Sequence, residues 1–318
     1  MSTRSSFIAG AAALSAAPLA VPGLVRAADI PPIVNVGATP VDTVAVVYYA
    51  QDLGLFTKAG LDVRIQAFAS GAQVAAAAAA GSLDLGVTNT TSAAAGHLRG
   101  LDFKFIAPAA VASGRERTDL IMVANDSPIQ KASDLNGKTV GVNGLKGSSQ
   151  ITVMAWCDKN GGDSRSLKFV ELGFSQMATA VADHRVDAVA LVEPYVTSAK
   201  GLARPLGNTL DCFSSPFMVV GYFGTASWLG SNVGVATRFA AAIREAAAWA
   251  NTHQKESGAM LVRYAKLDPT VAATMARSTY GQTVTTALLQ PMIDASAKYG
   301  AIDRTFPASE LIWQPARP

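Results

Sequence analysis

Chemically reactive side chains are scarce in this sequence. It holds two cysteines and three histidines in 318 residues, and only 15% of its positions are charged. The histidines, His97, His184 and His253, stand far apart, and none has a partner at a metal-binding spacing such as His-Glu-x-x-His. A surface or helix-packing place suits each of them. A Gly-x-Ser-x-Gly nucleophile elbow is missing, and the glycine-rich run from Gly141 to Gly147 lacks the phosphate-loop pattern. No cofactor or metal is therefore expected, and enzyme chemistry lacks its usual residues. Basic runs with interleaved aromatics are also missing. The formal charge is +3, and setting aside Arg4 and Arg26 in the first 27 residues lowers it to +1. That balance excludes the basic stripe of a nucleic-acid binder. Beyond residue 28 no stretch is apolar and long enough to span a bilayer. Cys157 and Cys212 fit either a disulfide or two buried thiols, since sequence does not show whether they approach each other.

What is present is apolar and patterned. Half of the residues are hydrophobic, enough for one large or two medium domains with a sizeable core. Residues 1–28 read as an export signal: Arg4, an alanine-rich apolar run to Val25, then Val25-Arg26-Ala27 as a small-residue cleavage point near Ala27. Thr3-Arg4-Ser5-Ser6-Phe7 resembles a twin-arginine signal with its second arginine replaced, so the export route stays open. The mature protein is expected outside the cytoplasm, in the periplasm.

The most informative stretch runs from Ser70 to Ser92. Ser70-Gly71 opens an alanine run, a strong helix former that lies close against a sheet. Gly81-Ser82 ends it, residues 83–87 read as a short strand, and Thr88-Asn89-Thr90 crowd hydroxyls and an amide at the next helix start. In an open α/β sheet, ligands sit beyond the carboxyl ends of strands, where helix starts offer free N–H groups to an anion. Capping alone also explains Ser70 and Thr90. The layout repeats at residues 139–159, where a strand, the loop Asn143-Gly144-Leu145-Lys146-Gly147-Ser148-Ser149 and a helix follow one another.

Along the rest of the chain, residues 33–37, 61–65, 103–107, 120–123, 167–170, 186–192 and 217–223 read as strands. Residues 44–56 and 176–183 read as helices, and 238–299 as mostly helical with breaks near 257–258, 268–269 and 280–281. This alternation marks parallel sheets covered by helices. It predicts an α/β protein of two lobes, each a sheet flanked by helices. Lobe I takes 29–117 plus 216–318, lobe II is inserted as 118–215, and the site lies in the cleft between them.

With these pieces in order, the chain resembles the solute-binding proteins of ABC importers for sulfonates, taurine, nitrate and thiamine-pyrimidine precursors. The resemblance rests on Tyr49 to Phe56 with Gly60-Leu61-Asp62-Val63, on Ser70-Gly71-Ala72 through Asp84, on Asp134 to Val142, and on Glu193-Pro194-Tyr195. It implies a type II periplasmic binding fold, a monomer that closes on one small molecule and delivers it to an ABC permease. By matching position it implies ligand contacts from Thr39, Asp42, Ser70, Gly71, Thr88, Asn89 and Thr90 in lobe I. Lobe II would add Lys146, Ser148, Ser149, Glu193 and Tyr195, and the return strand Tyr222.

Helix starts suit a sulfonate, carboxylate or phosphate. Lys146 would add a charge, or stand solvated in its loop. Glu193 would suit an amine, an amide or a ring N–H, or serve as a hinge carboxylate bonded to backbone. Tyr195 would stack on a ring or simply pack. The expected ligand is a zwitterionic or N–H-bearing organic acid, or a heteroaromatic precursor. Two rival readings are a pyrimidine-synthesising enzyme of the same family, whose cysteine-rich run is reduced here to Cys212 alone, and a sensor subunit that presents its ligand to a receptor.

Overall fold

A computed structural model of the chain describes residues 30–315. The expected export signal, 1–28, lies outside the described residues. Three sheets organise the rest. The first runs in the order β2 (Asp62–Ala67), β1 (Ile33–Ala38), β3 (Leu85–Asn89), β12 (Val220–Thr225), β4 (Phe103–Pro108). The second runs β10 (Ala203–Asn208), β6 (Asp119–Ala124), β9 (Ala188–Val192), β7 (Thr139–Val142), β8 (Lys168–Glu171). The expected parallel pairing holds for β1 with β2 and β3, and for β7 with β8 and β9. It fails for β12 and β6, which run antiparallel to both of their neighbours.

The reason is the connection. Parallel neighbours need a long crossover, usually a helix. β6 and β12 are instead the strands that the chain enters on passing from one sheet to the other. The passage out runs through β5 (Ala110–Ala112) and the passage back through β11 (Phe217–Met218). These two lie side by side, with Phe217 opposite Ala112 and Met218 opposite Val111, and β13 (Thr279–Tyr280) completes a third small sheet. The expected strand at 217–223 is thus two strands in different sheets, parted at Val219, whose N–H bonds the Ala110 carbonyl at 3.0 Å.

The helices differ from expectation where glycines act. The span 44–56 is not one helix. A 3-10 turn at Asp42–Val44 leads into α1 (Val46–Asp52), and Gly54, at φ 68, separates it from α2 (Leu55–Lys58). A β-carbon is disfavoured at that left-handed conformation, and glycine has none. The break expected at 257–258 does not occur. Ser257 and Gly258 lie inside α10 (Gln254–Ala265), and the break falls at His253, between it and α9 (Val233–Thr252). At Gly258 an added β-carbon would stand 3.0 Å from an Arg277 guanidinium nitrogen and 3.2 Å from the Ala272 carbonyl oxygen. This glycine permits close packing.

The alanine helix α3 (Gly71–Ala79) buries Val74, Ala75 and Ala78. Its approach to the sheet is close enough that a β-carbon on Gly86 of β3 would meet Val74 at 2.4 Å. One face of the first sheet packs on α1 and α9, with Tyr49, Phe56, Tyr222 and Phe239 fully enclosed. Full burial of each such side chain is worth about 1.5–3 kcal/mol. The second sheet has its own core, including Ile121, Leu135, Val140 and Trp156. Helix α12 (Thr286–Lys298) touches both halves. Ser296 bonds Thr91 of α4 (Thr90–Leu98) at 2.9 Å, and just past its end Tyr299 donates to Asp158 of α5 (Ser148–Lys159) at 3.0 Å. Cys157 and Cys212 are free and buried. No described helix is long and apolar enough to cross a membrane.

Candidate functional site

Between the two large sheets lies a cavity of about 410 Å³. It opens where the chemistry of the strand ends requires. The carboxyl ends of β1, β3, β7 and β9 reach it at Thr39, Thr88 and Asn89, Asn143 and Val192. The reversed strand β6 reaches it with its first residue, Asp119. The volume is that of a small-molecule site.

Three helices of eight or more residues bring their N-cap residue to this cavity. Ser70 caps α3, its Oγ accepting from the Gln73 N–H at 3.4 Å. Asn89 caps α4, its Oδ1 accepting from the Ser92 N–H at 2.8 Å. Gly147 caps α5 with no side-chain bond. The capping reading of Ser70 is therefore realised, whereas at α4 the cap is Asn89 and Thr90 is the first helical residue. Thr88 Oγ1 donates to the Gly71 carbonyl at 2.9 Å and ties the first two starts together. Facing them, Ser149 Oγ donates to Asn143 Oδ1 at 2.8 Å, and the Lys146 N–H donates to Gln150 Oε1 at 2.8 Å. Lys146 is exposed, in a left-handed conformation at φ 55. Ser148 Oγ donates to Thr91 Oγ1 at 3.4 Å, a bond that joins α5 to α4. Unsatisfied N–H groups and dipole ends at such starts favour an anion. Most of the remaining wall is apolar, with Val41, Val44, Val87, Leu191, Phe217 and Val220, and Arg99, Asp119 and Thr209 interrupt it.

Of the thirteen side chains expected at the ligand, Thr39, Ser70, Gly71, Thr88, Asn89, Lys146, Ser148 and Ser149 line this cavity. Asp42, Thr90, Glu193, Tyr195 and Tyr222 do not, and each has a partner that explains why. Asp42 is fully buried and pairs with Arg277 at 2.7 Å; its second oxygen accepts from the Ser278 N–H at 2.6 Å. Burial opposes the charge of Arg277, but the Asp42 carboxylate together with Tyr49 and Tyr280 outweighs it and raises the guanidinium pKa. Glu193 is buried too. Its carboxylate accepts from the Thr197 N–H at 3.0 Å, the Thr197 hydroxyl at 2.9 Å and the Ala276 N–H at 3.1 Å. Burial pushes its pKa up against those bonds. The hinge-type alternative for Glu193 matches this geometry: its own N–H bonds Thr118 and its carbonyl accepts from Asp42. Thr90 Oγ1 donates to the Met218 carbonyl at 3.2 Å. Tyr195 stacks on Phe174 with ring centroids 5.5 Å apart, so it packs. Tyr222 is sealed in the core, its hydroxyl on the Val44 carbonyl at 3.1 Å.

Sequence reasoning missed Asp119. Thr118 Oγ1 donates to its Oδ2 at 2.8 Å, and the Thr209 hydroxyl bonds its main-chain carbonyl at 3.0 Å. Its pKa is pushed up to about 7, first by burial and then by the nearby charges of Asp42 and Glu193. The signal was a polar Thr118-Asp119 pair opening an otherwise apolar strand. Arg277 was missed as well, because its partner lies 235 positions away.

The residues of the enzyme readings lie elsewhere. His97 bonds Glu310, His184 bonds Asp126, and His253 stacks on Trp249. Burial pushes the Cys212 thiol up to about 12, away from nucleophile chemistry. Among the described residues no group of three or more His, Cys, Asp or Glu side chains could hold a metal ion.

The chain is 25% identical over 263 residues to an aliphatic sulfonates-binding protein of Escherichia coli (strain K12), with 79% of each chain covered. Its fold matches the crystal structure of the periplasmic aliphatic sulphonate binding protein SsuA from Escherichia coli, at TM-score 0.74 and 21% identity over 90% of this chain and 93% of that one. The alkanesulfonate-binding protein SsuA from Xanthomonas axonopodis pv. citri, bound to MOPS, matches at TM-score 0.75 and 18% identity over 88% and 98%. These likenesses establish the two-lobed α/β architecture of periplasmic binding proteins. The model of the family described as NMT1/THI5 like matches residues 42–257, more than half of the chain, and the protein belongs to that family.

Proposed function

We propose that this protein is the extracytoplasmic solute-binding component of an ABC importer, taking up a small organic acid by closure of two lobes over the cavity. The single observation that carries the reading is the meeting of three helix starts, α3, α4 and α5, on one largely apolar cavity. The starts hold an acid group through N–H donors, and the apolar wall holds the carbon skeleton. The relatives named above bind sulfonates, which supports a sulfonate or carboxylate as the acid. Lobe II then comprises residues 118–215, and the paired crossings β5 and β11 are the hinge. On this reading residues 1–28 act as an export signal, and the protein serves in the periplasm as a monomer beside an inner-membrane permease.

The test is calorimetric titration with alkanesulfonates, taurine, aromatic carboxylates and pyrimidines, together with native mass spectrometry of the exported protein for a co-purified compound. Binding of an organic acid that is recovered unchanged supports the reading. Binding of nitrate alone, or turnover of the recovered compound, overturns it.

A further inference from the structure

We propose that Asp119 is the specificity-determining residue of this cavity, receiving a protonated amine or N–H group on the ligand, so that the protein prefers aminated organic acids to plain ones. The inference rests on the organic-acid reading above. Three carboxyl groups gather where the chain crosses between the sheets: Asp42, Glu193 and Asp119. Two are fully occupied inside the fold. Asp42 accepts from the Arg277 guanidinium and the Ser278 N–H, and Glu193 accepts from Thr197 twice and from Ala276.

Asp119 differs in that only Oδ2 is engaged, by Thr118 at 2.8 Å. Among the described residues Oδ1 has no hydrogen-bond partner. It is not sealed in the interior either: among the described residues the sealed side-chain atoms without a partner are Tyr48 Oη and Ser278 Oγ. Asp119 lines the cavity, and this acceptor is uncommitted inside the protein. A half-satisfied carboxylate at a poorly solvated site is costly, and a donor from the ligand removes that cost.

The charges around it fix what that donor is. Asp42 and Glu193 are near enough to Asp119 to make its surroundings more negative, and the Cys212 thiol lies near it. The cavity's cationic residues, Lys146 and Arg99, belong to the loop before α5 and to the far end of α4. A plain alkyl acid leaves Asp119 unmatched and adds another negative charge to its cavity. An acid that carries an ammonium or N–H group answers both the helix starts and the carboxylate. Discrimination of this kind, where a buried polar group is left unpaired by the wrong ligand, is large.

Two matched pairs test it by calorimetry at pH 8: taurine against ethanesulfonate, and 4-(aminomethyl)benzoate against 4-methylbenzoate. In the native protein the aminated member of a binding pair is expected to bind at least tenfold tighter. Asp119→Asn is expected to weaken the aminated member tenfold or more and to tighten the plain one, which erases the preference. Equal affinities within each pair in the native protein overturn the role of Asp119 whether or not the variant folds. A preference that survives intact in a folded Asp119→Asn protein overturns it too. If none of the four acids binds, and no other organic acid does, the organic-acid reading itself falls; plain acids binding as well as aminated ones remove the role of Asp119 alone.

Discussion

Asp119 should make the folded protein less stable as pH rises through neutrality. Its pKa stands at about 7 in the fold against 3.8 for an ordinary aspartate. Between those values the folded state binds the proton and the unfolded state does not. The stability that this group supplies is therefore full below pH 3.8 and is lost as pH climbs to about 7. At about 1.4 kcal/mol per pH unit the whole loss comes to about 4 kcal/mol. Water entering by the cavity mouth relaxes the carboxylate, so we expect roughly half, about 2 kcal/mol. The perturbation is Asp119→Asn, which keeps the shape and cannot ionise. The assay is urea unfolding of both proteins at intervals from pH 5 to pH 8. Because every other titrating group is common to the two, the difference between the curves isolates Asp119. The variant should gain on the native protein steadily, reaching about 2 kcal/mol at pH 8. Parallel curves, with a constant difference across that range, would falsify the assignment and mean that the carboxyl is ordinarily solvated. A gain in stability coupled to loss of a ligand contact is the usual trade at a binding site.

Other expected outcomes follow from the same structure. Arg277→Met should cost about 3–5 kcal/mol by urea unfolding, since it strands the buried Asp42 carboxylate, and Arg277→Met with Asp42→Leu should cost less than the single change. Tyr222→Phe should cost about 1 kcal/mol, the hydrogen bond to Val44, and leave ligand affinity unchanged, because that hydroxyl is sealed from the cavity. Gly71→Val should weaken ligand binding tenfold or more by titration, since its first side-chain atom would already stand 3.1 Å from Thr88 Oγ1 at the start of α3. A bound acid at 100 times its Kd should stabilise the fold by about 2.7 kcal/mol, read as a rise in Tm.

Much of the architecture was legible because it is local. Strands β1, β4 and β7 fell where apolar runs stood between turn residues, and the repeated strand-loop-helix layout gave both walls of the cavity in advance. The helix start at Ser70 could be read because a capping residue carries its own signature, and that of α4 was placed one residue late, at Thr90 instead of Asn89. What stayed hidden depends on distant partners. Asp42 and Glu193 have the look of ligand residues in sequence, polar groups at loop positions beside the strands. Only the fold brings Arg277 and Ala276 to them and turns them inward. Asp119 was hidden for the opposite reason, since it opens a strand whose other residues are plain core. The direction of β6 and β12 was equally invisible, because an apolar strand reads the same in either orientation.

The pairing of the two crossing strands has a mechanical consequence. Two short antiparallel segments joined by main-chain hydrogen bonds resist sliding past each other, and they yield readily to twisting. On the proposed closure, one half would turn against the other about the line of β5 and β11. The third strand of that ribbon, β13, follows Arg277 and Ser278 directly, and these hold Asp42. On that closure a spectroscopic label near residue 279, in the ribbon itself, would register little displacement, whereas the separation of labels at the exposed cavity residues Leu145 and Leu101 would change.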